Sequence, residues 1–166
     1  GRNYFLRLAV RLDNSTRAWF YTRLQTGHEH YTDYLSFARD FHNTLLDKEG
    51  AHEKIGIYLE TDANDISYNL EHVDIHSNFH SVVYGNMTVK EEIEPRMRIR
   101  DINDTYAVVE LSTVMSSEIK NDVIQYYDVR EVFKMKYNPE RMFLLDYNRY
   151  MDARYSPEFI DSSRNY

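Results

Sequence analysis

The chain contains no cysteine. That excludes disulfides, thiolate-held zinc and a cysteine nucleophile. It has only five glycines, at positions 1, 27, 50, 56 and 85. They are too few and too scattered for a phosphate-binding loop, a dinucleotide fingerprint or a nucleophile elbow, each of which needs closely spaced glycines. No apolar run approaches the ~20 residues that cross a bilayer as a helix. Basic residues are outnumbered, 20 Lys and Arg against 27 Asp and Glu, for a net charge of −7. Duplex binding needs the opposite balance, because cations must displace counterions from phosphates. Nucleic acid is therefore not expected as a partner. The opening Gly1-Arg2-Asn3 has neither an initiator Met nor a signal peptide. It reads as part of a larger protein, with any membrane attachment supplied by a segment outside this chain.

What the chain does have is the make-up of one globular domain: 166 residues, 42% hydrophobic and 28% charged, enough to bury a single core. Fifteen tyrosines stand out. Tyrosine suits half-wet surfaces and ligand grooves, and it also favours strands. Residues 5–12 fit either a strand, with Leu6, Leu8, Val10 and Leu12 alternating, or a helix face of Phe5, Leu8, Ala9 and Leu12. Asp13 or Asn14 then caps a helix through Trp19, Phe20 and Leu24, ended by Gly27. Tyr34, Leu35, Ala38, Phe41 and Leu45 make the clearest helical stripe and predict a helix over 32–47, with Thr32 as N-cap and Gly50 near its C-terminus.

After Gly50 the period becomes two. Residues 55–59 read as a short strand, 61–65 as a turn, and Ile66, Tyr68 and Leu70 alternate. Gly85-Asn86 breaks 79–89 into a hairpin. Met97 and Ile99 alternate with arginines, strand character returns from Tyr106 to Val114, and 116–121 reads as a polar loop or short helix. Two long strands, 123–137 and 141–151, flank an Asn138-Pro139 turn. The expected fold is α+β: N-terminal helices packed on a curved, hairpin-rich antiparallel sheet, one domain over 1–155 with a polar tail over 156–166.

The helix at 32–47 followed by the terminal hairpin of Tyr126–Tyr137 and Met142–Met151 resembles the cone-shaped NTF2-like and cystatin-like superfamily. The resemblance implies a helix laid across a curved sheet. Members include dehydratases, isomerases and non-catalytic assembly domains, among them membrane-anchored VirB8-type components of bacterial secretion systems. A fold hosting so many activities does not choose among them.

The strand 123–137 carries the sharpest anomaly. One face reads Val123, Gln125, Tyr127, Val129, Glu131, Phe133, Met135, Tyr137. Beyond Gln125 near its start, that face is apolar but for Glu131. A turn centred on Asn138-Pro139 places Glu131 opposite Tyr147, with Arg149 diagonal to it. A carboxylate on such a face needs partners or a raised pKa. Glu131, Tyr147, Arg149 and Tyr127 are the candidate ligand-binding residues, with a structural ion pair as the alternative. Catalytic residues remain unassigned.

Three further clusters invite a reading. His72, His76 and His80 share a face if helical, and His72, Asp74 and His76 do so if extended. A solvated polar segment is expected there rather than a metal site. Arg96, Arg98 and Arg100 share a strand face, balanced by Glu91, Glu92 and Glu94. Asp62, Asn64 and Asp65 hint at a calcium loop, but Ser67 takes its glycine position and Val73 its closing Glu position. His28-Glu29-His30 lacks the metalloprotease spacing. No cofactor is expected. Sequons at Asn14, Asn86 and Asn103 leave the compartment open, with a lean to an extracytoplasmic domain. The sequence points first to a non-catalytic interaction or assembly domain with a protein partner or a second copy. A small-molecule enzyme of lyase or isomerase type, or a ligand sensor, is the alternative.

Overall fold

A computed structural model describes residues 2–13, 15–27, 29–61, 68–120 and 123–154. The chain opens with a hairpin of β1 (Arg2–Arg11) and β2 (Arg17–Thr26). Helix α1 (Tyr31–Asp47) follows, then α2 (Ala51–Ile55) and a 3-10 turn at Gly56–Tyr58. Next come β3 (His72–Asp74), α3 (Phe79–Val82), β4 (Val89–Ile102), β5 (Ala107–Lys120), β6 (Val123–Lys136) and β7 (Phe143–Ala153). The last five strands form one antiparallel sheet in the order β3-β7-β6-β5-β4, and β1-β2 stands apart as its own two-stranded sheet. The α+β class and the packing of helix on antiparallel sheet match the expectation.

The first correction lies at the N-terminus. The strand reading of residues 5–12 holds, but residues 17–26 pair with them as a strand rather than forming a helix. The loop between is locked by Asp13, whose carboxylate accepts from the Ser15 and Thr16 amides, both at 2.7 Å. Those bonds pull its pKa down to about 2. The β-branched and aromatic run Thr16 to Thr22 then suits a pleated ribbon better than a helix.

Helix α1 buries Tyr34, Ala38, Phe41, His42 and Leu45, with Leu35 half-buried beside them. Phe41 packs edge-on against Phe133 of β6 and tilted against Tyr147 of β7, at centroid distances of 5.6 and 5.1 Å. The helix starts after His30, not at Thr32, and Gly50 opens α2 instead of closing α1. Gly50 takes φ +67°, a conformation that costs a side-chain-bearing residue. Residues 55–59 are not a strand: Ala51 and Ile55, four apart, both face the core from α2.

Three more expectations change. Gly85-Asn86 is not a hairpin. Asn78 caps α3 by accepting from the Ser81 amide, and the chain then turns through Tyr84 and Gly85, both at positive φ. Residues 116–120 belong to β5, because Ser116, Ser117 and Glu118 keep their pairing with β6. The expected register of the terminal hairpin is also displaced: Glu131 pairs with Arg149, and Phe133 with Tyr147. Two one-residue shifts add up: the turn end already pairs Lys136 with Phe143, one residue beyond the expected register, and a bulge adds the second, since Lys134 faces Asp146 while Met135 faces Leu144. Leu145 is the extra residue and is 45% exposed. The turn expected at 61–65 and the alternation from Ile66 fall partly, and the tail over 156–166 wholly, outside the described residues.

Candidate functional site

The inner face of β6 and β7 meets α1 at Glu131. Glu131, His42, Tyr147, Arg149 and Tyr84 are all fully buried. The Tyr147 hydroxyl donates to Glu131 Oε1 at 2.7 Å, and His42 Nδ1 lies 2.5 Å from Glu131 Oε2. On its other side His42 Nε2 reaches Glu91 Oε2 of β4 at 3.3 Å. Glu91 is the member that touches solvent, its side chain 30% exposed.

Burial works against the charged form of both Glu131 and His42, but their mutual attraction prevails. The Glu131 pKa lies below its ordinary value of 4.5, helped by the Tyr147 hydroxyl and the Arg149 charge. The His42 pKa lies above its ordinary 6.5, helped by Glu91. Glu131 is therefore ionised near neutral pH, and His42 keeps its proton to a higher pH than an ordinary imidazole. With His42 protonated, Arg149 and Glu91 bring the cluster to two positive and two negative charges, the balance a buried ionic group needs. Burial, reinforced by the negative charge of Glu131, pushes Tyr84 and Tyr147 well above 10, so both hydroxyls stay neutral.

Arg149 is positioned by the strand but spends its donors elsewhere. Its Nη1 and Nη2 donate to the carbonyls of Val82 and Ser81 at 2.6 and 2.9 Å. These carbonyls lie at the C-terminal end of α3, where the Ser81 carbonyl also accepts from the Tyr84 amide. The guanidinium also lies 3.8 Å from the centre of the Tyr84 ring, a cation–π contact out of water. Tyr84 is held for this at φ 63°, a conformation rare for an aromatic residue. Arg149 thus ties the α3 segment to the sheet, and its effect on Glu131 is through charge alone. Tyr84 Oη and Arg149 Nε are buried without a hydrogen-bond partner among the described residues.

Tyr127, the fourth candidate, is not in this cluster. It sits four residues before Glu131 on β6, about 13 Å along the strand, where β6 pairs Tyr127 with Met115. There it lines an open cleft of about 920 Å³, with Tyr68, Leu70, His80, Met87 and Ile119. Of the four candidates the structure brings Glu131, Tyr147 and Arg149 together, and it adds His42, Glu91 and Tyr84, which the sequence reading missed. His42 had a signal: it lies four residues after Ala38 and three before Leu45, on the buried side of an amphipathic helix. Glu91 and Tyr84 had none, because β4 and the α3 turn reach the cluster only through tertiary packing.

The other clusters resolve into surface chemistry. His72 bonds Asn148 and stacks on Tyr150, His76 approaches Glu60, and His80 meets the edge of Tyr68. Among the described residues, no group of three His, Asp or Glu side chains is arranged to hold a metal. His28 of the His28-Glu29-His30 run lies outside the described residues. Arg98 and Arg100 converge with Arg130 on Glu110, a nearly buried carboxylate on β5. The counter-charge comes from the neighbouring strand rather than from Glu91, Glu92 and Glu94. Arg98 makes the tightest contact, its Nη2 lying 2.5 Å from Glu110 Oε1 and its Nε donating to the same oxygen at 2.8 Å.

The β1-β2 hairpin is the other unusual surface. Its register sorts the side chains cleanly. Tyr4, Leu6, Leu8, Val10, Ala18, Phe20 and Leu24 lie on one face, and Phe5, Arg7, Arg11, Arg17, Trp19, Tyr21 and Arg23 on the other. On the second face the Arg7 guanidinium sits 4.6 Å from the Trp19 ring centre. Near the hairpin base Arg23 reaches Asp101 of β4 at 3.2 Å. Among the described residues the first face has no such cover, and each of its large side chains is 44–56% exposed.

Comparison with known families, proteins and solved structures returned no match to this chain. No helix of the described residues is long and apolar enough to cross a membrane.

The paired ionisation predicts a stability optimum. The contribution of Glu131, whose pKa is lowered on folding, is complete above 4.5 and is lost as pH falls through its folded value. That of His42, whose pKa is raised, is complete below 6.5 and is lost as pH rises through its folded value. The cluster therefore contributes most between about pH 4.5 and 6.5. Thermal unfolding from pH 3 to 9 should show a maximum there that flattens in Glu131→Gln. An equally sharp maximum in the variant would place its origin elsewhere.

Proposed function

We propose that this chain is a non-catalytic interaction domain whose assembly surface is the β1-β2 hairpin. One observation carries the reading: the apolar face of the hairpin is open to water along its whole length. A lone two-stranded ribbon is marginal in water, and contiguous exposed apolar patches on soluble domains mark contact sites. The enclosed state of the Glu131 cluster agrees with it. An acid and base both sealed at 0% exposure serve to link α1 to the sheet, not to meet a substrate. The arrangement of helix on curved antiparallel sheet is compatible with NTF2-like assembly domains. Attachment to a membrane through a segment outside this chain would fit the same reading.

The test is the native mass of the complex that the tagged chain forms in its host cell. Leu8→Asp, on the apolar face, is expected to reduce it to that of the chain alone, while Glu131→Gln leaves it unchanged. A complex that survives Leu8→Asp would overturn the reading.

A specific feature favours a second reading, a small-ligand protein. The 920 Å³ cleft walled by Tyr127 has the size of a ligand site. A ligand there whose affinity falls in Tyr127→Ala but not in Glu131→Gln would favour this alternative.

A further inference from the structure

Deepening the assembly reading, on which it rests, we infer that the partner of the hairpin is a second copy of this chain, packed apolar face to apolar face about a two-fold axis. Four properties of the hairpin select this occupant.

The first is self-complementarity. A two-fold contact brings a surface against itself, so it tolerates no unpaired charge at its centre. From Tyr4 to Val10 and from Ala18 to Leu24 the apolar face carries none; Arg2, opposite Thr26, stands at its end. Arg7, Arg11, Arg17 and Arg23 all lie on the reverse face. Two stacked ribbons are ~10 Å apart, so the two sets of arginines end up on opposite outsides of the sandwich. That separation exceeds a Debye length of about 8 Å, and their repulsion is screened.

The second is area. Tyr4, Leu6, Leu8, Val10, Leu12, Phe20 and Leu24 expose 44–64% of their surface. This amounts to roughly 600 Å² per copy and ~1,200 Å² per pair, which reaches the lower bound of specific interfaces.

The third is charge. The hairpin, residues 2–26, holds five arginines and one aspartate, a net of +4. The whole chain is −7, so the remainder is −11. Each hairpin is therefore opposite in sign to the acidic body of the other copy, which offsets part of the repulsion between two chains of net −7.

The fourth excludes lipid. An element lying on a membrane turns its tryptophan and other aromatic residues to the lipid side. Here the tryptophan, Trp19, stands with Phe5 and Tyr21 on the arginine face, while the opposite face carries Tyr4 and Phe20 among its aliphatic side chains. The acidic body would also be repelled by an anionic surface.

Sedimentation velocity of the purified chain from about 1 to 100 µM tests this, since an interface of this size supports dissociation constants on the order of micromolar. The wild type is expected to shift from monomer to dimer across that range. Leu8→Asp and Phe20→Glu, which place carboxylates in the apolar face, should each weaken the dimer at least about a hundredfold. Tyr21→Ser, on the reverse face, should leave it intact. Far-UV circular dichroism verifies that all variants retain the fold. A wild type that stays monomeric at 100 µM, a Leu8→Asp chain that still dimerises, or loss of the dimer in Tyr21→Ser alone would overturn the inference. So would a monomeric wild type that co-sediments with phosphatidylglycerol vesicles. A monomeric pure chain whose complex in the cell still depends on Leu8 would refute the second-copy partner and leave the assembly reading standing.

Discussion

Glu131→Leu should destabilise the domain by about 3–5 kcal/mol, the usual effect of removing one side of a buried ion pair. The substitution fills much the same space but removes the acceptor of two groups. Tyr147 would lose its 2.7 Å partner, and the charge of His42 would lose its nearest counter-ion. Arg149 would remain buried with one less negative charge nearby. Glu131→Gln should cost less, since its carbonyl oxygen can still accept from one of the two donors. Chemical denaturation read by tyrosine and tryptophan fluorescence measures both. A loss below about 1 kcal/mol for Glu131→Leu would mean that the desolvation cost of the cluster cancels its attractions. A double-mutant cycle refines the picture. Glu131 should couple more strongly to His42, which it contacts, than to Arg149, whose donors serve Ser81 and Val82.

Phe41→Ala should cost a similar amount, about 3–5 kcal/mol. Phe41 is 2% exposed, and its ring meets Phe133, Tyr147 and Phe37 at once. Those neighbours sit on two strands and a helix, so the site cannot collapse around the missing ring without moving backbone, and a cavity remains. Phe5→Ala is the control. Phe5 is 86% exposed and should change unfolding stability by less than about 0.5 kcal/mol. A Phe41→Ala loss as small as this control would show that α1 does not anchor the sheet.

Periodicity in the chain was sufficient for the elements that bury one continuous face. The stripe through Ala38, Phe41 and Leu45 has no competing reading, since only a helix brings those positions together. The apolar face of β6 likewise singled out Glu131 before any contact was known. Short or doubly apolar stretches were less legible. Ala51 to Tyr58 offers about two turns, too few for a period of 3.6 to separate from one of 2. Residues 17–26 are apolar or aromatic on both faces, so local pattern does not distinguish ribbon from helix; pairing with β1 decided it.

By itself the sequence determined the α+β class, the core helix, the long terminal strands, and the presence of a carboxylate where apolar residues belong. These follow from local periodicity, which covalent geometry imposes on any chain. Only the tertiary structure decided who neutralises that carboxylate. His42 comes from 89 residues away in the chain, and the bulge at Leu145 moves Arg149 directly opposite Glu131. It also decided that the apolar face of the hairpin remains uncovered. Neither can be read from pattern alone, because a register shift or a long-range contact depends on how the elements fill space together.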